Sequence, residues 1–426
     1  MPKNNKIIIV SYTFPPSPGI GGRRWVKFAK QLNKKGIALR IISASLSRNK
    51  DSEWKKDLKG LEGFVSYLNP GIVDYLAKVP QSLFEKLRYK LTLICIKIYS
   101  KGNFYDRSLF WAKEVINSLR HELNTGTVEC VIATGSPFKY LYDIALLKQE
   151  YPNIKFIADL RDPWTVTESY GWNRLVTHRQ KKESEYEHFV IDNFDLITTV
   201  TPGIINILKE RYPGVQKISL VENGYDLDDL KVQQNLGPNQ KIIRMIFAGT
   251  FYPGASNYLK LFVSGLKKHL AARANNVISI EVDFYGKTDG LFESIIREID
   301  CIKYHGSIPL KEVYEKMQLA DYGLLFLSNE IDYSISTKFC EYILYNKPIV
   351  VFGPDGYTGS FVKTKQLGWA VHDEKSWIVL LNELEQMKLK KELKLISKES
   401  ISHLNVSHIA DRLLKVISQL KVSKPS

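Results

Sequence analysis

The sequence predicts an α/β protein made of two doubly wound halves of similar size, and three observations predict it. The chain has 426 residues, more than a single hydrophobic core usually serves. Short apolar runs alternate with segments of helical spacing along its length. The alternation pauses at a polar stretch, 227–240, which holds Gly237-Pro238-Asn239 and reads as a linker, and then begins again.

The elements follow in order. Ile7-Ile8-Ile9-Val10-Ser11-Tyr12 reads as a buried strand, because parallel strands covered on both faces are continuously apolar. A Pro/Gly loop from Phe14 to Gly22 leads into a helix from Arg23 to Lys35, with Trp25, Val26, Phe28, Ala29 and Leu32 on one face and Gly36 as its stop. Leu39–Ser43 is the next strand. Strands at 128–133, 156–159 and 196–200 alternate with helices at 140–149 and 177–193. The run from Val215 to Val221 precedes the turn signal Glu222-Asn223-Gly224-Tyr225-Asp226. The second half shows strands at 242–248, 278–285, 322–326 and 349–352, with helices at 257–273, 292–299, 310–320 and 338–345. A helix over 406–420 ends the pattern. The halves are taken as 1–224 and 225–405, with the last segment, 406–426, packing back on the first. Open parallel sheets bind ligands beyond the carboxyl ends of their strands, so the strand-end loops are where chemistry is sought.

Composition narrows the class. Hydrophobic content of 44% and charged content of 25% are those of a globular chain. The initial apolar run is too short for a signal peptide, and no stretch approaches a membrane span of roughly 18 apolar residues. Lys97 interrupts the closest one, Leu91–Tyr99. A cytoplasmic location is expected. Cys95, Cys130, Cys301 and Cys340 are far apart and form no CxxC, and no HExxH is present, so no protein metal site is indicated. The net charge of +15 is uneven: residues 1–120 hold 23 Lys/Arg against 8 Asp/Glu, and the remainder balances. Such an excess points to an anionic partner or to a solvated face.

Four segments carry candidate chemistry. In Pro15-Pro16-Ser17-Pro18-Gly19-Ile20-Gly21-Gly22-Arg23-Arg24, glycines permit close backbone approach, and the following helix start favours phosphate. No GK[ST] follows, and Trp25 stands near where the dinucleotide fingerprint needs its third glycine. Asp159-Leu160-Arg161-Asp162-Pro163-Trp164 gathers carboxylates, a guanidinium and an indole at a strand end. Arg161 and Asp162 can pair and face a polyhydroxyl substrate, on which Trp164 can stack; equally, the segment can be a structural ion pair in a turn. In Ser334-Ile335-Ser336-Thr337-Lys338-Phe339-Cys340-Glu341-Tyr342, Ser336 or Thr337 caps a helix. Its amides with Lys338 suit a diphosphate, and Glu341, on the same face, suits the two hydroxyls of a ribose. The plainer account is a capped helix with an i,i+3 ion pair. Phe247-Ala248-Gly249-Thr250-Phe251-Tyr252 ends the first strand of the second half, where Gly249 lets an amide approach a leaving phosphate or simply makes a turn.

In this order, the Gly-Gly loop, Asp-x-Arg-Asp-Pro-Trp, Asn223-Gly224, Gly249-Thr250 and Thr337-Lys338-Phe339-Cys340-Glu341-Tyr342 with Asn346-Lys347-Pro348-Ile349-Val350 resemble the GT-B glycosyltransferases often called family 4. The resemblance covers nearly the whole chain. It implies a GT-B fold, two Rossmann-like domains facing across a cleft, with the acceptor on the first and the nucleotide sugar on the second. It implies Gly21 and Gly22 against the donor phosphates and sugar, Lys338 on the diphosphate and Glu341 on the ribose. It also implies a retaining, metal-independent enzyme in which amides and cations stabilise the leaving diphosphate. Gly249, Thr250, Ser336 and Thr337 complete the expected donor site. Arg161, Asp162 and Lys338 are the catalytic candidates. Arg23, Arg24, Asp159 and Trp164 are the acceptor candidates. The sequence departs from the family in three places. Thr250 stands where many members have Arg, Tyr333 stands eight residues before Glu341 where many have Glu, and Phe138-Lys139-Tyr140 follows Ser136-Pro137 where a His is frequent.

Residues 72–115 mix Leu83, Phe84, Leu87, Leu91, Leu93, Ile94, Ile96 and Ile98 with Lys86, Arg88, Lys90, Lys97 and Lys101. A segment of this kind lies on anionic lipid or packs internally. Lipid contact on the inner membrane face suits a lipid-linked acceptor in surface polysaccharide assembly. No nucleic-acid module is recognisable. The leading reading is a glycosyltransferase with a nucleoside-diphosphate sugar as donor and no cofactor. The alternatives are a sugar-nucleotide epimerase of the same fold and a non-catalytic binding or scaffold protein.

Overall fold

The computed structural model describes residues 6–17, 20–46, 53–77, 80–101, 103, 106–166, 171–230, 241–273, 277–288, 290–297, 299–329, 333, 335–392 and 396–420. Pro18, Gly19, Gly237-Pro238-Asn239 and Ser334 lie outside these residues. The chain forms two compact units. One holds the chain up to Glu222 together with the final helix from Ile409; the other runs Asn223–His408.

The first unit has a seven-stranded sheet: β1 (Lys6–Ser11), β2 (Leu39–Ala44), β3 (Val65–Leu68), β4 (Val128–Gly135), β5 (Lys155–Leu160), β6 (Leu196–Thr199) and β7 (Ile218–Leu220), in the order 3-2-1-4-5-6-7. The second unit has β8 (Ile242–Ala248), β9 (Ser279–Tyr285), β10 (Ile302–Tyr304), β11 (Tyr322–Phe326), β12 (Ile349–Phe352) and β13 (Gly368–Val371), in the order 10-9-8-11-12-13. Every pairing is parallel. This is the GT-B fold, two parallel-sheet α/β domains.

Burial on both faces explains the apolar strands. Ile8, Ile9 and Val10 are fully buried at the centre of the first sheet. In the second, successive residues of β8 point to opposite faces, as the period of two requires. Met245 and Phe247 join one core with Phe262, Phe284, Phe352 and Trp377. Ile246 and Ala248 join another with Phe339, Tyr342 and Ile343. Each buried Ile, Val, Met or Phe among them contributes about 1.5–3 kcal/mol.

Several elements go beyond the sequence reading. Helices Ala112–Leu123, Pro202–Arg211, Tyr357–Thr364 and Glu374–Lys390 and the short strands β3, β10 and β13 are additional. The first helix begins earlier than Arg23, at Ile20, so Gly21 and Gly22 lie in its first turn rather than in a loop. A close approach of that turn to the chain after β1, described below, outweighs the low helix propensity of glycine. Helix Val406–Gln419 joins the first unit through Lys155, whose amine donates to the Ile417 carbonyl at 2.8 Å, and through a 2.7 Å Lys35–Asp411 pair.

Candidate functional site

In each sheet the strand order reverses beside the first strand of its unit: between β1 and β4, and between β8 and β11. Ligands of doubly wound sheets bind beyond the carboxyl ends of the strands at such a reversal. The residues gathered there, taken unit by unit, form the candidate site.

In the second unit, helix Thr337–Leu344 follows β11. The Ser336 hydroxyl oxygen accepts from the Phe339 amide, which settles the cap on Ser336 rather than Thr337. Tyr342 holds this helix to the sheet. Its ring lies on Gly323 of β11, where any Cβ would collide with it. Its hydroxyl is 3.0 Å from the Ile246 carbonyl and 3.2 Å from that of Leu324, and accepts from the Ala248 amide at 3.2 Å. Burial pushes the phenol well above its ordinary pKa, so it stays a neutral donor.

With the helix so fixed, Lys338 reaches from it to the loop after β8. Its amine donates to the Thr250 carbonyl at 2.9 Å and sits 4.1 Å from the Phe247 ring centroid. The methylene chain crosses Gly249, where a Cβ would run into Cε. Gly249 also has φ +127°, a conformation side chains resist. Burial lowers the Lys338 amine to about 7, against the opposing pull of the Glu341 carboxylate. One turn along, Glu341 accepts from the Tyr314 hydroxyl at 3.3 Å. Gly249, Thr250, Ser336, Thr337, Lys338 and Glu341 therefore share one strand-end surface. Helix-start amides, an amine that can take up a proton and a carboxylate suit a diphosphate and a vicinal diol.

In the first unit, Gly22 faces the chain after β1: a Cβ would fall 2.5 Å from the Thr13 carbonyl oxygen. Its lack of a side chain is thus used within the fold. Gly21 faces Arg161, whose Nη2 would be 2.7 Å from an added Cβ. Arg161 follows β5, and its Nε donates to the Gly135 carbonyl at the end of β4, at 3.0 Å. The guanidinium therefore lies over the β1/β4 reversal, on the open turn of the helix that follows β1. Asp162 comes next and is partly exposed.

Three acceptor candidates are corrected by burial and a fourth by pairing. Asp159 is fully buried, and its two oxygens accept from Trp25 Nε1 (2.9 Å), Thr134 Oγ1 (3.0 Å), Thr198 Oγ1 (3.0 Å) and Arg24 (3.4 Å). Arg24 is buried too and donates to the Val221 and Glu222 carbonyls at 2.7 Å. These two lock β5, β6, the first helix and the chain beyond β7 together, out of a substrate's reach. Trp164 is 4% exposed. Its ring stacks on Phe138 at 5.1 Å and its Nε1 donates to Glu183 at 3.0 Å, so that face is not open to a sugar. Arg23 pairs with Asp57 at 3.2 Å and lies over the Trp54 ring.

Some contributors went unread in the sequence. Glu183 and Glu187, buried on one face of helix Thr177–Asn193, anchor the loop that carries Arg161. Glu183 holds Trp164 and Arg179. Glu187 accepts from the Trp164 amide, Thr165 and, at 2.8 Å, the Tyr212 hydroxyl, while burial raises its pKa. Asp106 accepts from the Phe138 and Lys139 amides and so caps the helix after β4. The charged spacing of 183 and 187, four apart on a helix, was the available signal. Tyr314 and Tyr342 gave none, because a tyrosine at helical spacing reads as core.

No family model matches the sequence, and no curated protein matches it. Solved structures do. Sucrose-phosphate synthase of Thermosynechococcus elongatus has 13% identity and a TM-score of 0.65, over 98% of this chain and 99% of that one. HepE of Anabaena, in complex with UDP and glucose, has 11% identity and a TM-score of 0.62, over 98% and 100%. A Listeria monocytogenes protein provisionally assigned as a UDP-N-acetylglucosamine 2-epimerase has 10% identity and a TM-score of 0.56, over 97% and 95%.

Proposed function

We propose that the protein is a glycosyltransferase that takes a sugar from a nucleoside diphosphate and passes it to a hydroxyl of a glycan or lipid-linked saccharide. The observation that carries this reading is the bridge made by Lys338 across the β8/β11 reversal, beside the start of a helix that also bears Glu341. Glu341 takes the ribose hydroxyls. The helix-start amides and Lys338 take the diphosphate. The acceptor oxygen bonds to the anomeric carbon as the bond from that carbon to the β-phosphate oxygen breaks. The electron pair leaves on the diphosphate, and the acceptor proton passes to it or to water. Charge grows on the leaving group, where Lys338 and the amides oppose it, so no metal is assigned to that task. Retention of configuration, Arg161 and Asp162 as catalytic groups, and assembly of a surface polysaccharide as the setting belong to the same reading.

Likeness of fold extends to the protein provisionally assigned as an epimerase, and an enzyme of that kind would hydrolyse or rearrange its own donor. The site described above offers the chemistry of a leaving diphosphate. A nucleotide-release assay with UDP-glucose and other nucleotide sugars, with and without saccharide acceptors, tests the proposal. Release should rise with acceptor and fall about 100- to 1,000-fold in Lys338→Ala, the loss expected when one transition-state contact goes. Release of free sugar or epimer that ignores the acceptor would favour the second reading. No release with any donor would leave a binding protein.

A further inference from the structure

Helix Leu83–Tyr99 has two apolar sides. One is used by the fold: Thr92 and Ile96 are buried. The other is open. Leu83, Phe84, Leu87, Leu91, Ile94 and Ile98 are between 53% and 85% exposed. At about 100° per residue these six fall in a stripe about 100° wide that runs the length of the helix. Among the described residues, nothing covers it. Exposed Lys86, Lys90 and Lys97 line one edge, and exposed Arg88 lies beyond the other, over the Tyr75 ring. The helix has one acidic residue, Glu85, which turns back to close a capping box with Ser82.

We propose that this face docks on an anionic lipid bilayer, with the helix lying in the plane of the interface. Scattered exposed leucines need no explanation, but a continuous apolar stripe does. The charge around it selects the occupant. A second copy of the chain, meeting this face by two-fold symmetry, would set the row of lysines near another such row or near Arg88, like charges in either case. A surface of anionic headgroups takes the same lysines favourably, at roughly 1 kcal/mol each, while the stripe enters the acyl boundary. No helix among the described residues is long and apolar enough to cross a membrane, so the contact is a surface one. The inference stands on this face alone and does not rest on the nucleotide site.

The test is flotation of the full chain with vesicles of phosphatidylcholine alone and of phosphatidylcholine with about one-third phosphatidylglycerol. The expected result is binding to the anionic vesicles that weakens with salt. A variant carrying Lys86→Gln, Lys90→Gln and Lys97→Gln should lose affinity about 100-fold, the product of three contacts. Leu87→Glu with Leu91→Glu should abolish binding while melting like the parent, since both sites are exposed. Leu91→Trp should shift its emission to the blue and be quenched by brominated acyl chains. Equal binding to neutral vesicles, or unchanged binding in either multiple variant, would overturn the proposal. So would failure to float combined with self-association, by sedimentation, that Leu87→Glu with Leu91→Glu removes, and so would failure to float as a monomer.

Discussion

Lys338 Cε occupies the space into which a Cβ on Gly249 would project, so the glycine lets the amine pass from the helix after β11 to the loop after β8. The left-handed φ of Gly249 adds a second reason for the residue type. Gly249→Ala should therefore lower stability by about 1–3 kcal/mol, the usual cost of backbone strain at a non-glycine. It should also displace Lys338. Urea unfolding gives the first effect, and calorimetric titration with UDP gives the second. Full stability together with full UDP affinity would contradict the packing described.

A lysine held near 7 titrates where enzymes work. In the unfolded chain it keeps its proton up to about 10.5. Between these values the unfolded chain binds the extra proton, so this group alone makes stability rise with pH from about 7 to about 10.5. A bound diphosphate reverses the effect of burial and draws the proton back. UDP binding at about pH 8 should therefore take up protons, seen as a calorimetric enthalpy that depends on the buffer's own ionisation heat. Affinity should fall as pH rises through 7 and 8. Lys338→Met should remove both the uptake and the slope, while an unchanged uptake would assign it to another group.

Arg24 and Asp159 define the opposite kind of charge pair, one that serves the fold. Arg24→Met leaves Asp159 buried without its guanidinium and should cost about 3–5 kcal/mol. The UDP response of whatever remains folded should be intact. A variant of normal stability that had lost nucleotide release would restore Arg24 to the reacting groups.

Gly21→Ala asks whether Arg161 depends on the open turn beneath it. The added methyl group meets the guanidinium, which must move. Release driven by acceptor should fall while UDP affinity holds, because the displaced group belongs to the first unit. Parallel loss of both would contradict this division.

How much of this was legible follows from the kind of signal involved. Strands such as Ile242–Ala248 and Tyr322–Phe326 were read to the residue, because burial on both faces writes an apolar run, broken in the first only by Arg244. Gly368–Val371 escaped, being four residues long and begun by a glycine. Helix Pro202–Arg211 was announced by its Thr201 cap and Pro202, and Glu374–Lys390 by Asp373, so those signals were present and unread. At the candidate site, the cap on Ser336 and the i,i+3 placing of Lys338 and Glu341 on one helix were legible because both signals are local. Asp159, Arg24 and Trp164 misled because sequence gives residue type and strand end, but not which way a side chain faces. The apolar face of Leu83–Tyr99 was half legible: two apolar sides blur the periodicity, and only exposure separates the packed side from the open one.

Calorimetric titration of nucleoside diphosphates against the wild-type chain, Lys338→Ala and Glu341→Ala tests the central claim most directly. One diphosphate should bind the wild type. Lys338→Ala should lose affinity for the diphosphate and retain weak binding of the nucleoside, and Glu341→Ala should lose discrimination between ribose and 2′-deoxyribose forms. Wild-type affinity for every nucleotide in both variants, or no binding to the wild type, would contradict a nucleotide site at the β8/β11 reversal.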